Sequence, residues 1–207
     1  MDITKQQLLN FGFTGVEAAV SAIPVLGGPL QTMIFGTLNA KKIANLEEYI
    51  NTLSRKITNL EHQLILNNKP SDEQLGIMET IFEEVPNFRS VQKHDYYANA
   101  AINVLSVHPA LTVSEAESFI FILGNISVSA VSTLRSFDNR PSFEERTSES
   151  VESGDIPVLK SLGLIVDDFK DIRMYGNRPE LQYRTHITSL GHEFLTFIGD
   201  YREKDDY

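Results

Sequence analysis

His192-Glu193 opens like the His-Glu-x-x-His signature of zinc hydrolases, within a stretch from Ser189 to Ile198 that reads as helical. That signature works because two histidines four residues apart share one helix face and bind one metal ion, with the glutamate as base. Position 196 is Thr, so the second ligand is missing and two-histidine helical ligation fails. His186 lies on a strand-like stretch, and its spacing from His192 specifies no metal geometry. Both read as solvated or hydrogen-bonded surface histidines. No Gly-x-Ser-x-Gly elbow and no Gly-x-Gly-x-x-Gly turn occurs, and Gly27-Gly28 has no Lys-Ser or Lys-Thr after it to make a phosphate loop. The adjacent acidic pairs Glu83-Glu84, Glu144-Glu145 and Asp167-Asp168 diverge on any regular element and read as solvated charge. Tyr96-Tyr97 invites ligand stacking, but one ring in the core and the other at its edge is the simpler reading. Neither an enzymatic activity nor a cofactor or metal is expected.

Composition narrows the partners. The 207 residues carry a formal net charge of −10, which disfavours non-specific attraction to nucleic-acid phosphates or anionic lipid. With no cysteine there is no disulfide framework, zinc-thiolate site or thiol nucleophile, in keeping with a reducing cytoplasm. Glu17 interrupts what would be the hydrophobic core of a signal peptide, so no leader is read, and Asn125-Ile126-Ser127 is only a formal glycosylation match.

The elements that must position any site are mostly helical. Ala18 to Ala40 is a run of 23 uncharged residues, long enough to span a bilayer but broken by Gly27, Gly28 and Pro29. Two helices meeting at that break form a buried hairpin, or alternatively a releasable segment for a membrane or partner groove. In the second case Pro24, Gly27, Gly28 and Pro29 provide the hinge and Phe35 an anchor, and the cytoplasmic protein becomes peripheral to the inner membrane. Leu46, Ile50, Leu53, Ile57, Leu60 and Leu64 then alternate spacings of four and three, a coiled-coil-like seam. A helix from Pro29 to Leu66 would be ~57 Å long and needs an intramolecular partner or a second subunit.

Ser71 to Gln74 reads as a capping box opening a helix that Pro86 closes, and a helix from about Val91 to Val107 carries Ala100 and Ala101 for close approach. Ser114 to Glu117 reads as a second capping box. After Ser127 come short helical stretches (Ser129 to Phe137, parts of Ser142 to Leu162), then strands at Leu164 to Val166 and Gln182 to Ile187 around a "MYGNRPE" loop. Ser189 caps a last helix. This order is that of a winged helix, which predicts a mainly α chain with a helical region over residues 1–126 and a winged-helix-like region over 127–207.

A winged helix raises DNA binding. The recognition helix would lie within Glu149 to Leu162, where Glu149, Glu152 and Asp155 face a single Lys160, and acidic residues there would be repelled by phosphates. The wing is more basic, with Arg173, Arg178 and Arg184 as candidate contacts. The acidity favours a protein-interaction module, with a DNA-binding transcriptional regulator as the alternative.

"IPVLGGPL", the long helix after it, "KHDYYANAAINVL" and "YRTHITSLGHEFL" together resemble the abortive-infection alpha family of phage-defence proteins. The resemblance implies an antiphage interaction or effector protein, acting through a protein partner, self-association along the long helix, or conditional membrane binding. It brings no catalytic residue with it.

Overall fold

A computed structural model describes the backbone of residues 40–61, 70–105, 111–138, 144–147, 154–175 and 178–199. Pro24, Gly27, Gly28, Pro29, Phe35 and Leu64 lie outside these residues. The chain is mainly helical with a small antiparallel sheet. It divides into two compact units, one ending at Phe121 and resuming at Ile198, the other spanning Ile122–Phe197.

The first unit is built around α3 (Val91–Leu105), which packs against α1 (Ala40–Glu61) and α2 (Asp72–Glu84). Eleven of the residues of α3 are buried, more than one face of a helix holds, so it is a central helix. Ala98, Ala100 and Ala101 are fully buried, and their small side chains allow close packing of neighbours. On α1, Ile43, Leu46, Tyr49, Ile50, Thr52, Leu53 and Ile57 are buried. This stripe is wider than a two-position coiled-coil seam and suits globular packing. Leu60 falls within the helix.

Ser71 caps α2 as the sequence indicates: its hydroxyl accepts from the Gln74 N–H at 3.1 Å, and the Gln74 side chain accepts from the Ser71 N–H at 2.9 Å. Val85–Asn87 tightens into a 3-10 turn at Pro86 and packs on α1, where the Asn45 amide donates to the Pro86 carbonyl at 3.0 Å.

Helix α4 (Val113–Asn125) begins earlier than expected. Thr112, not Ser114, forms the reciprocal cap: its hydroxyl receives the Glu115 N–H at 3.3 Å, and Glu115 receives the Thr112 N–H at 2.7 Å. The hydrogen bonds from Thr112 hold the Glu115 carboxyl below the usual range.

In the second unit, α5 (Val128–Asp138) is capped by Ser127, whose hydroxyl accepts from the Ala130 N–H at 2.9 Å. Strand β1 (Glu144–Thr147), α6 (Asp155–Ser161), β2 (Ile165–Tyr175), β3 (Arg178–Ile187) and α7 (Ser189–Phe197) follow. Three sequence expectations are corrected here. The stretch from Ser142 to Leu162, expected to hold only helical parts, also contains a strand, Glu144–Thr147, which pairs with Thr185 to Gln182 of β3. The two long strands take in most of the "MYGNRPE" segment, so a loop was expected where an extended hairpin exists. Thr188 caps α7 in place of Ser189, accepting the Gly191 N–H at 3.0 Å.

Two glycines fix the junctions of this unit. Gly163 has φ of 72°, a left-handed angle that ends α6. The Gly163 N–H donates to Lys160 at 2.9 Å and the Leu164 N–H to Leu159 at 2.9 Å, a Schellman ending. Gly191 seats α7 against the sheet: a Cβ there would lie 2.4 Å from the Leu164 carbonyl oxygen and 2.6 Å from Ile187.

Candidate functional site

Titratable side chains collect in the first unit, on the "KHDYY" stretch of α3. Lys93, His94, Tyr96 and Tyr97 are all buried, so the expectation that one tyrosine sits at the core edge is corrected. His94 Nε2 lies 3.1 Å from the Phe88 carbonyl oxygen, which can only accept, so the proton resides on Nε2. Its Nδ1 faces the Glu48 carboxylate at 3.6 Å. The Lys93 ammonium lies over the Phe88 ring at 4.1 Å, and Phe88 stacks on Tyr97 at 5.6 Å. Burial lowers the Lys93 pKa to about 8, against an opposing pull from Glu84.

Tyr49 packs edge-on against Phe82 at 5.7 Å. Burial raises the Tyr49 and Tyr97 pKa values, and these two hydroxyls have no hydrogen-bond partner among the described residues. These groups are sealed. Tyr49, His94 and Tyr97 are at 0% exposure, with Tyr96 at 3% and Lys93 at 5%, so the cluster lies within the packing of the first unit.

The groove nearest this cluster, of about 470 Å³, is shallow and lined by Thr52, Arg55, Ser90, Val91, Gln92 and Asp95. Asp95 is engaged by Lys56 at 3.0 Å. Among the described residues no group of three or more His, Asp or Glu side chains could hold a metal ion.

In the second unit the polar contacts join elements. The Asp155 carboxylate receives the hydroxyls of Ser129 at 3.1 Å and of Ser127 and Thr133 at 3.3 Å, tying α6 to α5. Asp167 is gripped by the Lys160 ammonium and, at 2.6 Å, by the buried Thr185 hydroxyl. His192 Nδ1 lies 2.6 Å from Asp138, and His186 Nδ1 3.5 Å from Asp168. Each histidine thus faces a carboxylate on another element.

The outer half of the hairpin is different in kind. In a regular strand Phe169 and Ile172 would point to opposite faces, but Lys170 is inserted as a bulge. Phe169 pairs with Tyr183 and Asp171 already with Gln182, which returns Ile172 to the face of Phe169. Phe169, Ile172 and Met174 therefore share one face, at 59%, 50% and 63% exposure. Tyr183 and Leu181 flank them, half-buried, and the Phe169 and Tyr183 rings meet edge-on at 6.4 Å.

The three candidate arginines lie on the same hairpin. Arg173 pairs with Glu180, Arg178 with Tyr175 and Arg184 with Asp168. No helix among the described residues is by itself long and apolar enough to cross a membrane; α4 and α5 together pass that test but are sharply bent between them. No family profile, curated protein or solved structure matches the chain.

Proposed function

We propose that this chain is a non-enzymatic interaction protein of bacterial antiphage defence, in the manner of the abortive-infection alpha proteins it resembles. The observation that carries the interaction reading is the exposed strip of Phe169, Ile172 and Met174. Large apolar side chains grouped on one exposed face mark a contact site.

We read Ile122–Phe197 as a winged helix, supported by the order α5, β1, α6, β2, β3 with β1 on the far side of β3 from β2. In that reading α6 takes the place of the recognition helix and the hairpin that of the wing. Lys160, the basic residue of α6, is held by Asp167. Asp167, Asp168, Asp171 and Glu180 alternate with the basic positions of the hairpin. That mixture favours a protein surface over a phosphate backbone. The long seam continuing through Leu60 and Leu64, and release of Ala18 to Ala40 toward a membrane, belong to the same proposal as its effector step.

The test is a phage challenge in bacteria producing the chain. Wild type is expected to protect against at least one phage of a panel, and Ile172→Asp and Met174→Asp to lose protection while keeping the wild-type melting temperature. Full protection by both variants, or none by wild type, would contradict the reading. A sequence-specific duplex complex that survives moderate salt would instead favour the transcriptional regulator.

A further inference from the structure

We propose that the exposed edge of β2 pairs with β2 of a second copy of this chain, antiparallel about a two-fold axis between Lys170 and Asp171. The inference rests on reading the outer hairpin as a contact surface, and it names the partner.

Among the described residues the sheet order β1-β3-β2 leaves β2 at an edge, and at 11 residues it is a long one, against four in β1. A long edge presents N–H and C=O groups that template another strand, and the Ile172 N–H, held at 2.7 Å by its own Asp171 carboxylate, would exchange that bond for one to the second copy. Charged residues on an edge ordinarily repel such a strand. Here the charges are arranged so that they select one.

The six residues "DFKDIR", Asp168 to Arg173, are complementary to themselves when reversed. The proposed axis sets Asp168 opposite Arg173 of the second copy, Phe169 opposite Ile172, and Lys170 opposite Asp171. Every pairing is opposite in charge or apolar on apolar. No neighbouring register does this. A shift of one residue sets Lys170 against its own copy or Asp171 against its own copy. A shift of two sets Asp168 against Asp171, or Lys170 against Arg173.

The bulge is what makes the register geometrically sound. Residues opposite each other across an antiparallel pair point to the same face, and in a regular strand Phe169 and Ile172 would not. The inserted Lys170 brings them to one face, so the pairing carries the exposed strip from one copy straight into that of the other.

The chain has no cysteine, so introduced thiols report directly on this register. Full-length Phe169→Cys and Ile172→Cys chains, mixed and mildly oxidised, should give a cross-linked dimer that neither gives alone. Position 169 of one copy would lie three residues from 169 of the other, beyond disulfide reach. Sedimentation of the wild-type chain should show a concentration-dependent dimer, and Ile172→Asp should dissociate it with an unchanged circular dichroism spectrum. A monomer at every concentration, or a dimer without the mixed cross-link, overturns the proposal. If wild type is monomeric while Ile172→Asp still loses phage protection, the hairpin contacts a different protein: the second copy is excluded and the interaction reading survives. If the mixed cross-link forms while Ile172→Asp protects fully, the pairing stands and the reading of the hairpin as the defence surface falls.

Discussion

The two units treat polarity in opposite ways. The first encloses it: Lys93, His94, Asn99 and the Tyr49 and Tyr97 hydroxyls are buried among apolar neighbours, with Asn99 donating to the Ile198 carbonyl at 3.0 Å. The second joins its elements with ion pairs and hydroxyl–carboxylate bonds, and puts Phe169, Ile172 and Met174 outside. The Tyr49, His94 and Tyr97 side chains are enclosed in the first unit, while the outer hairpin of the second displays three large apolar side chains. Enclosed polar groups specify and tax a core, whereas displayed apolar groups wait for a surface.

That contrast can be broken at several points. The largest effect is expected from Leu53→Ala in α1, where the side chain is fully buried: a loss of about 2–5 kcal/mol, read by chemical denaturation. An undiminished midpoint would mean the packing of the first unit is wrong. Gly191→Ala should cost about 1–3 kcal/mol or more, since its Cβ meets a backbone oxygen that cannot rotate away. A neutral result would mean α7 does not lie so close to the sheet.

Lys93→Met removes an enclosed charge and should raise the melting temperature at pH 7 by about 2–4 °C, the shift that ~1 kcal/mol produces at this size. Its pH signature is sharper. With a folded pKa of about 8 against an ordinary 10.5, the folded chain sheds this proton first, so the Lys93 contribution to stability rises between those values. Tyr49 and Tyr97 act in the opposite sense: their raised values leave the unfolded chain to ionise first, and stability falls above pH ~10. Stability measured from pH 7 to 11 should therefore climb and then drop, and Lys93→Met should remove the climb alone. The smallest effect is expected from Tyr49→Phe, neutral or slightly stabilising because it deletes a buried hydroxyl without a partner among the described residues. A marked loss of stability would show that the hydroxyl is bonded.

Much of this helical architecture is legible in the residues themselves. The spacing of Leu46, Ile50, Leu53 and Ile57 predicts a buried side of α1, and all four are buried. The Ser71–Gln74 box marks the start of α2. Other features are hidden for identifiable reasons. Thr112–Glu115 and Ser114–Glu117 have the same cap spacing, and only the true first turn of α4 chooses between them. Thr188 and Ser189 pose the same ambiguity one residue apart. The hairpin is illegible because the Lys170 bulge breaks the two-residue alternation by which a strand is recognised. Strand β1 exists through its pairing with β3, a tertiary cause absent from four polar residues. The burial of Lys93 and His94 has no local signal, because lysine rarely enters a core and α3 is enclosed only by its tertiary neighbours.

The β2 edge is the surface on which a second copy is expected to pair. Amide hydrogen exchange of the full chain across a concentration series tests this without any substitution. The amides of residues 168–173 that do not bond to β3 should slow as concentration rises, in step with dimer formation, while those of α6 keep one rate throughout. Equal exchange of the 168–173 amides at every concentration would contradict it.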